Sequence, residues 1–303
     1  MIKIEKWNIN EDDHVLDVAI SGQNNQASYS FESGRKTDSP DLQKKEQNRI
    51  LKKMDIVSNR YKKYLSIAEK FMNKELSGRV VDMGAGRGTF AGVASIHNDV
   101  IEVFAVEYSA GFVENVMPVC LERMGAKSEK ITGCIGSFNN TKFNDNSVDF
   151  VLEGGAYHHS EDIQKTISET FRILKPGGWF IGIDRSHPNH ITEVELNKFR
   201  FKELSVSQKE NYGLPIDKSF TRADWGEHEY RECDWLHFFS SQGFESHLIR
   251  FRSVSKRSFR SILKLLFFYA FGNFLISRKV STIPYTVWFG EPGRTLIMCK
   301  KPN

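Results

Sequence analysis

The sequence predicts an α/β fold built on a doubly wound, mostly parallel sheet, and three observations predict it. From about residue 76 to 184, short β-branched runs alternate with stretches of helical periodicity. The first run, Val80-Val81-Asp82-Met83, enters a turn with glycines at 84, 86 and 88 and then an apolar helical stretch from Thr89. The second run closes on an acid, Glu107, 21 residues after Gly86. A strand, a glycine turn and a helix start place backbone amides at a helix N-terminus, where a ligand can approach the chain closely.

In order, residues 1–75 read as an N-terminal extension. Residues 1–20 alternate apolar and polar and predict one or two short strands. The Ser-, Asn-, Gln- and Gly-rich stretch 21–41 predicts a loop. Ile50, Met54, Val57, Tyr61, Tyr64, Ala68 and Phe71 recur at steps of three and four, which predicts a long amphipathic helix, ended near Ser77-Gly78 and packed as a lid or flank on the main domain, with Arg60, Lys62 and Lys63 on its polar side.

Residues 76–252 read as the main domain. Strands are expected at 79–83, 101–107, 130–135, 148–152, 178–184 and 246–251, and helices from about 89 and over 110–124, 161–174 and 234–241. Ser160 is the expected cap of the helix at 161–174, and Lys175-Pro176-Gly177-Gly178 its stop. Residues 185–230 lack periodicity and read as a cap over a site. Residues 253–303 hold a basic and aromatic insertion and a last strand, 294–300.

Composition narrows the function classes. A chain of 303 residues with a net charge of +4 is too mildly basic to argue for nucleic acid, and four dispersed cysteines argue against a disulfide framework or a zinc site. The charged start, Met1 to Trp7, lacks the pattern of a secretory leader, and no apolar run reaches the roughly 18 residues that span a bilayer. A cytoplasmic protein is expected. Arg250, Arg252, Lys256, Arg257, Arg260 and Lys264 precede an apolar run at 265–276, followed by Arg278 and Lys279. Residues 250–279 therefore read either as a buried or dimer-forming helix or as a peripheral contact with an anionic membrane surface.

A carboxylate at Glu107 suits the two hydroxyls of a ribose, so an adenosine-type cofactor is expected, either a dinucleotide or S-adenosylmethionine. A dinucleotide fingerprint begun at Gly84 fails at Thr89, but one begun at Gly86 is met by Gly88 and Ala91. Asp82 beside the turn would repel a pyrophosphate and suits a cationic ammonium. In the order in which they occur, Asp82-x-Gly84-x-Gly86-x-Gly88, Glu107, Asp145 to Val151, His158 to Asp162 and Arg172 to Gly178 together resemble the class I S-adenosylmethionine-dependent methyltransferases, in particular the small-molecule and lipid-acting branch, over roughly residues 60–250.

The resemblance implies a Rossmann-like, seven-stranded sheet, S-adenosylmethionine as cofactor, and roles by position. Gly84, Ala85 and Gly86, with Gly88, would wrap the methionine part and Asp82 would face its amino group. Glu107 would bind the ribose and Tyr108 the adenine. Ser137 and Phe138 would contact the adenine amino group in place of the acid this family often carries there. Glu153 would face the methyl donor or acceptor. Candidate bases are His158, His159, Glu153 and Asp184, on loops after the fourth and fifth strands. The histidines and acids of the cap, among them His187, His190, Glu193, Asp217, His228 and Glu229, match no metal-ligand spacing, so no metal is expected. The acceptor would be a small molecule, sugar or lipid-linked compound methylated on oxygen. Alternatives are a nicotinamide-dependent oxidoreductase and a partner subunit that binds the cofactor without catalysis.

Overall fold

The computed structural model describes residues 2–7, 40–212, 214–251, 285–287 and 293–303. The strands are β1 (Lys3–Lys6), β2 (Gly78–Met83), β3 (Val100–Glu107), β4 (Ile131–Ile135), β5 (Val148–Glu153), β6 (Leu174–Arg185), β7 (Glu245–Phe251), β8 (Tyr285–Val287) and β9 (Arg294–Lys300). They form one sheet in the order β1-β4-β3-β2-β5-β6-β9-β7-β8. Only the pairings of β9, with β6 and with β7, are antiparallel. Among the described residues the sheet thus has nine strands where the resemblance implied seven. The additions are the two edge strands, four-residue β1 on β4 and three-residue β8 on β7.

Both faces are covered, which is why the central strands are apolar on both sides. On one face lie α1 (Pro40–Met72), α2 (Thr89–Ser95) and α3 (Met117–Arg123); on the other lie α4 (Ile163–Ile173) and α7 (Glu232–Ser241). In β2, Val80 packs on the first face and Val81 and Met83 on the second. The helix at 40–72 appears where its periodicity predicts it. Tyr64, Leu65, Ile67 and Ala68 are buried, while Lys62 and Lys63 face solvent. Tyr64 packs on Phe251 of β7 with ring centroids 4.7 Å apart, and Tyr61 meets Phe90 of α2 at 4.5 Å. The helix stops at Met72, before the expected Ser77-Gly78, because Asn73 turns left-handed at φ 50°.

Several expected boundaries move for local reasons. The helix at 110–124 divides into a π-turn at Phe112–Val116 and α3, where Pro118, lacking an amide hydrogen, sits in the first turn. Asp162, not Ser160, caps α4 by accepting from the Lys165 amide at 3.0 Å; the Ser160 hydroxyl instead meets Thr166 Oγ1 at 2.6 Å. The Lys175–Gly178 turn is taken up inside β6, whose pairing with β5 shifts register between Val148 and Phe150. The stretch 185–230 is partly helical, with α5 (Glu193–Arg200), closed by a Thr192–Glu195 capping box, and α6 (Val206–Tyr212). The loop predicted at 21–41 and the insertion at 252–284 lie outside the described residues, apart from the first turn of α1. Among the described residues, no helix is long and apolar enough to cross a membrane.

The motifs at Asp145–Val151 and Arg172–Gly178 are structural in effect. The Asp149 carboxylate accepts from the Arg79 amide at 2.9 Å and holds the Lys175 ammonium at 2.8 Å, joining β2, β5 and the turn into β6. Lys301 donates to the Phe171 and Leu174 carbonyls at 2.7 and 2.8 Å, placing a cation at the C-terminal end of α4. Replacing Leu65, which is 1% exposed in α1, by alanine is expected to cost about 2–5 kcal/mol of unfolding free energy in urea titration. A loss below about 1 kcal/mol would show that the helix does not dock on the sheet in solution.

Candidate active site

Parallel strands end together, and here four of them end on buried acids: Asp82 of β2, Glu107 of β3, Glu153 of β5 and Asp184 of β6. Each carboxylate accepts hydrogen bonds from backbone amides of the loops beyond the strands. Asp82 Oδ2 accepts from Ala91 N at 2.8 Å, in the first turn of α2. Glu107 accepts from Gly86 N at 2.7 Å through Oε2 and from Ser109 N at 2.9 Å through Oε1. Glu153 Oε1 accepts from the amides of Gly155, Ala156 and Tyr157. Asp184 accepts from His158 N at 3.1 Å and from Arg185 N at 2.5 Å.

The glycine turn and these loops enclose a cavity of about 280 Å³. The expected residues Asp82, Gly84, Ala85, Gly86, Glu107, Tyr108, Phe138 and His159 line it. Gly84 and Ala85 donate to the Val106 carbonyl, both at 2.9 Å, which fastens the turn to β3. At Gly84, φ is 69° and a Cβ would stand 2.2 Å from that of Ala156. At Gly86, φ is 51° and a Cβ would meet nothing within 4 Å, so the backbone there is open to the cavity.

Five expected residues stand outside that lining. Gly88 lets α2 approach α3, since a Cβ there would fall 2.7 Å from Met117 Cγ. Ser137 Oγ accepts from Asn139 N at 3.1 Å. Glu153 is fully buried against its own loop, and its Oε2 has no hydrogen-bond partner among the described residues. His158 and Asp184 are buried behind the cavity wall. In this structure Glu153, His158 and Asp184 thus stand behind the wall of the cavity and not in its lining.

Sequence reasoning gave α1 the place of a lid or flank but did not name the residues it sends into the cavity wall, Met54, Val57 and Tyr61. Tyr61 donates its hydroxyl to the Gly154 carbonyl at 2.9 Å, tying the helix to the loop after β5. The spacing of these three was visible, but it reads as an ordinary packing face. Arg87, Thr89, Phe90 and Phe112 complete the far side.

The electrostatics divide the two histidines. His158 Nδ1 lies 2.6 Å from Asp184 Oδ1, while Nε2 stands 2.9 Å from the Arg185 guanidinium and 3.4 Å from Glu227. Burial alone would lower its pKa, but the Asp184 charge and hydrogen bond and the Glu227 contact outweigh it and carry it to about 9. His159 is pushed the other way, to about 3, by burial first and then by the charge of His158. Its Nδ1 donates to the Gly226 carbonyl at 3.0 Å, which leaves a lone pair on Nε2 in the cavity. Burial raises Asp82 to about 7 against the opposing Ala91 hydrogen bond, and the Glu107 charge adds to the rise. Burial also raises Glu107 and, more strongly, Glu153.

His158, His159 and Glu227 bring three ligand-type atoms within 4.8 Å of one another, a geometry that can hold a metal ion. Arg185 already supplies positive charge at that point, pairing with Glu227 and standing 2.9 Å from His158 Nε2. The cavity itself suits a cationic adenosine-type cofactor. It combines an open backbone at Gly86, two buried carboxylates and the flat faces of Tyr108 and Phe138.

Comparison with known proteins bears on the same residues. A family model described as a methyltransferase domain matches residues 81–182. A demethylmenaquinone methyltransferase of Symbiobacterium thermophilum is 34% identical over 113 residues, covering 36% of this chain and 43% of that protein. Its counterpart in Geobacillus kaustophilus is 25% identical over 175 residues, covering 57% of this chain and 71% of that one. The chain thus spans less than half the length of the first of these relatives. A solved S-adenosylmethionine-dependent methyltransferase from Mesorhizobium loti superposes with a TM-score of 0.45 at 18% identity, covering 77% of this chain and 97% of that one. The domain match runs from Val81 within β2, through the glycine turn, to Gly182 within β6, about a third of the chain, and over those residues the chain is similar to a methyltransferase domain.

Proposed function

We propose that this protein transfers a methyl group from S-adenosylmethionine to an oxygen of a small-molecule acceptor, with donor and acceptor meeting in the cavity beyond β2, β3 and β5. The observation that carries this reading is that Glu107, the Gly84–Gly86 turn and His159 line one cavity. S-adenosylmethionine, when bound, supplies a methyl group on a positively charged sulfur, an electrophile that needs little activation. The work left to the chain is to hold, align and shield.

Gly84, Ala85 and Gly86 would pass along the methionine part, with Asp82 facing its ammonium. Glu107 keeps acceptor capacity beyond its bonds to the Gly86, Tyr108 and Ser109 amides, so it can accept from a ribose hydroxyl while holding the turn. Tyr108 and Phe138 would flank the adenine. Ser137, with its hydroxyl on Asn139, leaves the adenine contact at that position to Phe138. Tyr61 and Phe90 exclude water from the side of α1. His159 is neutral at physiological pH and would take the acceptor's proton through Nε2. With a pKa near 3 it is a weak base, which suits an acidic hydroxyl of enol or phenol type or a proton lost late, as the oxygen becomes positive. Glu153 and Asp184 act through the backbone, as holders of the loop that carries His159.

A second reading, methylation of a ring carbon, is supported by relatives named as demethylmenaquinone methyltransferases and, in one case, as a ubiquinone/menaquinone biosynthesis C-methyltransferase. That relative is 22% identical over 166 residues. Incubating the protein with 13C-methyl-labelled S-adenosylmethionine and fractionated extract tests both readings. A methyl carbon resonance in the methoxy range supports oxygen transfer, one in the aryl-methyl range supports carbon transfer, and no labelled product with any fraction overturns both.

Glu107→Ala is expected to weaken S-adenosylhomocysteine about 10- to 100-fold in calorimetry, since it removes charged hydrogen bonds of about 1.5–3 kcal/mol and frees the turn. Unchanged affinity would place the cofactor elsewhere. The raised pKa of Asp82 gives a signed pH dependence. An acid with a pKa of about 7 in the free protein must lose its proton to face an ammonium, so binding releases a proton below pH 7. S-adenosylhomocysteine affinity is expected to be about tenfold lower at pH 6 than at pH 8, and Asp82→Asn should flatten that slope. Because His159 titrates near 3, kcat should show no histidine inflection between pH 5 and 8. His159→Ala should lower kcat with little change in S-adenosylhomocysteine affinity, and retention of full kcat would remove His159 as the base.

A further inference from the structure

A second cavity, of about 700 Å³, lies on the other side of the loop that carries the histidines. Its described walls include five Lys or Arg residues (Arg185, Lys202, Arg222, Arg250 and Arg294) against two glutamates, Glu229 and Glu232. The glutamates are engaged: Glu229 bonds Arg222 and His187, and Glu232 bonds Arg250. Glu227, behind the wall, bonds Arg185 and Arg222. Against the five cations these three acids leave two positive charges in excess, and the buried Asp184, whose charge acts on both Arg185 and Arg294, offsets one of them.

The backbone forces part of this excess. Arg185 and Arg294 are direct partners across the antiparallel β6–β9 pair, and Arg250 of β7 pairs with Thr295, the next residue of β9. Like charges directly opposite on adjacent strands are destabilising, and a partly buried cluster is costlier because little water screens it. The remaining walls include Phe199, Phe251 and Pro188, with Phe199 against His187 at 4.6 Å between centroids. The cavity therefore offers flat apolar surface beside concentrated positive charge.

It also adjoins the cofactor cavity. A Cβ on Gly155, which lines the first cavity, would stand 2.7 Å from Arg294 Nη1, which lines the second. Arg185 likewise touches His158, next to His159. One loop separates the two spaces.

We propose that this second cavity binds the acceptor by an anionic group, so that the substrate is an aromatic or otherwise flat molecule carrying a carboxylate or a phosphate. The assignment of that molecule as methyl acceptor rests on the methyltransferase reading; the anion site itself rests on the walls of the second cavity. The guanidinium groups would hold the anion in charge-assisted, fork-like hydrogen bonds, Phe199 and Phe251 would cover the ring, and the reacting group would point past Gly155 toward His159.

Calorimetric titration of the full chain, with S-adenosylhomocysteine present, tests this with benzoate, phenyl phosphate and neutral phenol at constant ionic strength. At least one anion is expected to bind about tenfold or more tightly than phenol. Lys202→Glu, on an exposed side chain, should weaken that anion about tenfold or more while leaving the circular dichroism spectrum and S-adenosylhomocysteine affinity as in the wild type. Preference for benzoate assigns a carboxylate, and preference for phenyl phosphate assigns a phosphate. The proposal is overturned if phenol binds as well as both anions, if neither anion binds below about 10 mM, or if Lys202→Glu leaves anion affinity unchanged. Failure of S-adenosylhomocysteine to bind would overturn the methyltransferase reading alone, because the same titrations in its absence read the second cavity directly.

Discussion

The site depends on one constraint, that buried carboxylates at the ends of parallel strands must be satisfied by backbone amides. Asp82, Glu107, Glu153 and Asp184 sit at the ends of β2, β3, β5 and β6, and each takes at least one amide of a loop that forms the cavity or its wall. An ionised carboxylate left unpaired in an apolar interior costs several kcal/mol, so each loop is held wherever its amides must go. Glu107 is the clearest case, because it joins the glycine turn after β2 to the end of β3. The loops are shaped by electrostatic demand before any ligand arrives.

That constraint also sets the charge preference of the cavity. Burial raises the pKa of both Asp82 and Glu107, the Glu107 charge adds to the rise at Asp82, and the Asp184 charge adds to that at Glu153. Positive charge relieves the strain. On the β6 side the chain supplies it through His158 and Arg185. On the β2 side the described walls offer Arg87 at the rim, and a ligand bearing ammonium and sulfonium charge would serve the same end. The donor cavity is thus acid-rich and the neighbouring cavity cation-rich, and the Gly154–His159 loop is the partition between them.

Much of this was legible in the sequence. The alternation of strands and helices, the glycine turn and Glu107 all appear where periodicity and residue type place them. The helix at 40–72 was legible too, because Tyr64, Leu65 and Ala68 keep one buried face. Less legible was what each acid does. An acid at a strand end reads as a ligand contact, and nothing local distinguishes Glu107, whose carboxylate borders the cavity, from Glu153, whose carboxylate is spent on its own loop. The separation of His158 from His159 was invisible for the same reason. It depends on Asp184, Arg185 and Glu227, which come from β6 and the cap, far along the chain. The alternation of residues 1–20 predicts a short strand where β1 lies, but three-residue β8 carries too few residues for a periodic signal.

The adjacent histidines show why the partition matters. A 3₁₀ turn at Tyr157–His159 points successive side chains in different directions, so one ring enters the charged network and the other the cavity. Their ring centroids remain 4.2 Å apart, close enough that a protonated His158 keeps His159 neutral. Asp184 and Glu227 hold that proton on His158, and Arg185, which pairs with Glu227 beside His158, also lines the second cavity. An anion arriving there would draw on Arg185, alter the field on His158 and so reach the protonation balance of His159. The network that keeps the cavity histidine neutral is therefore also the physical link between the two cavities.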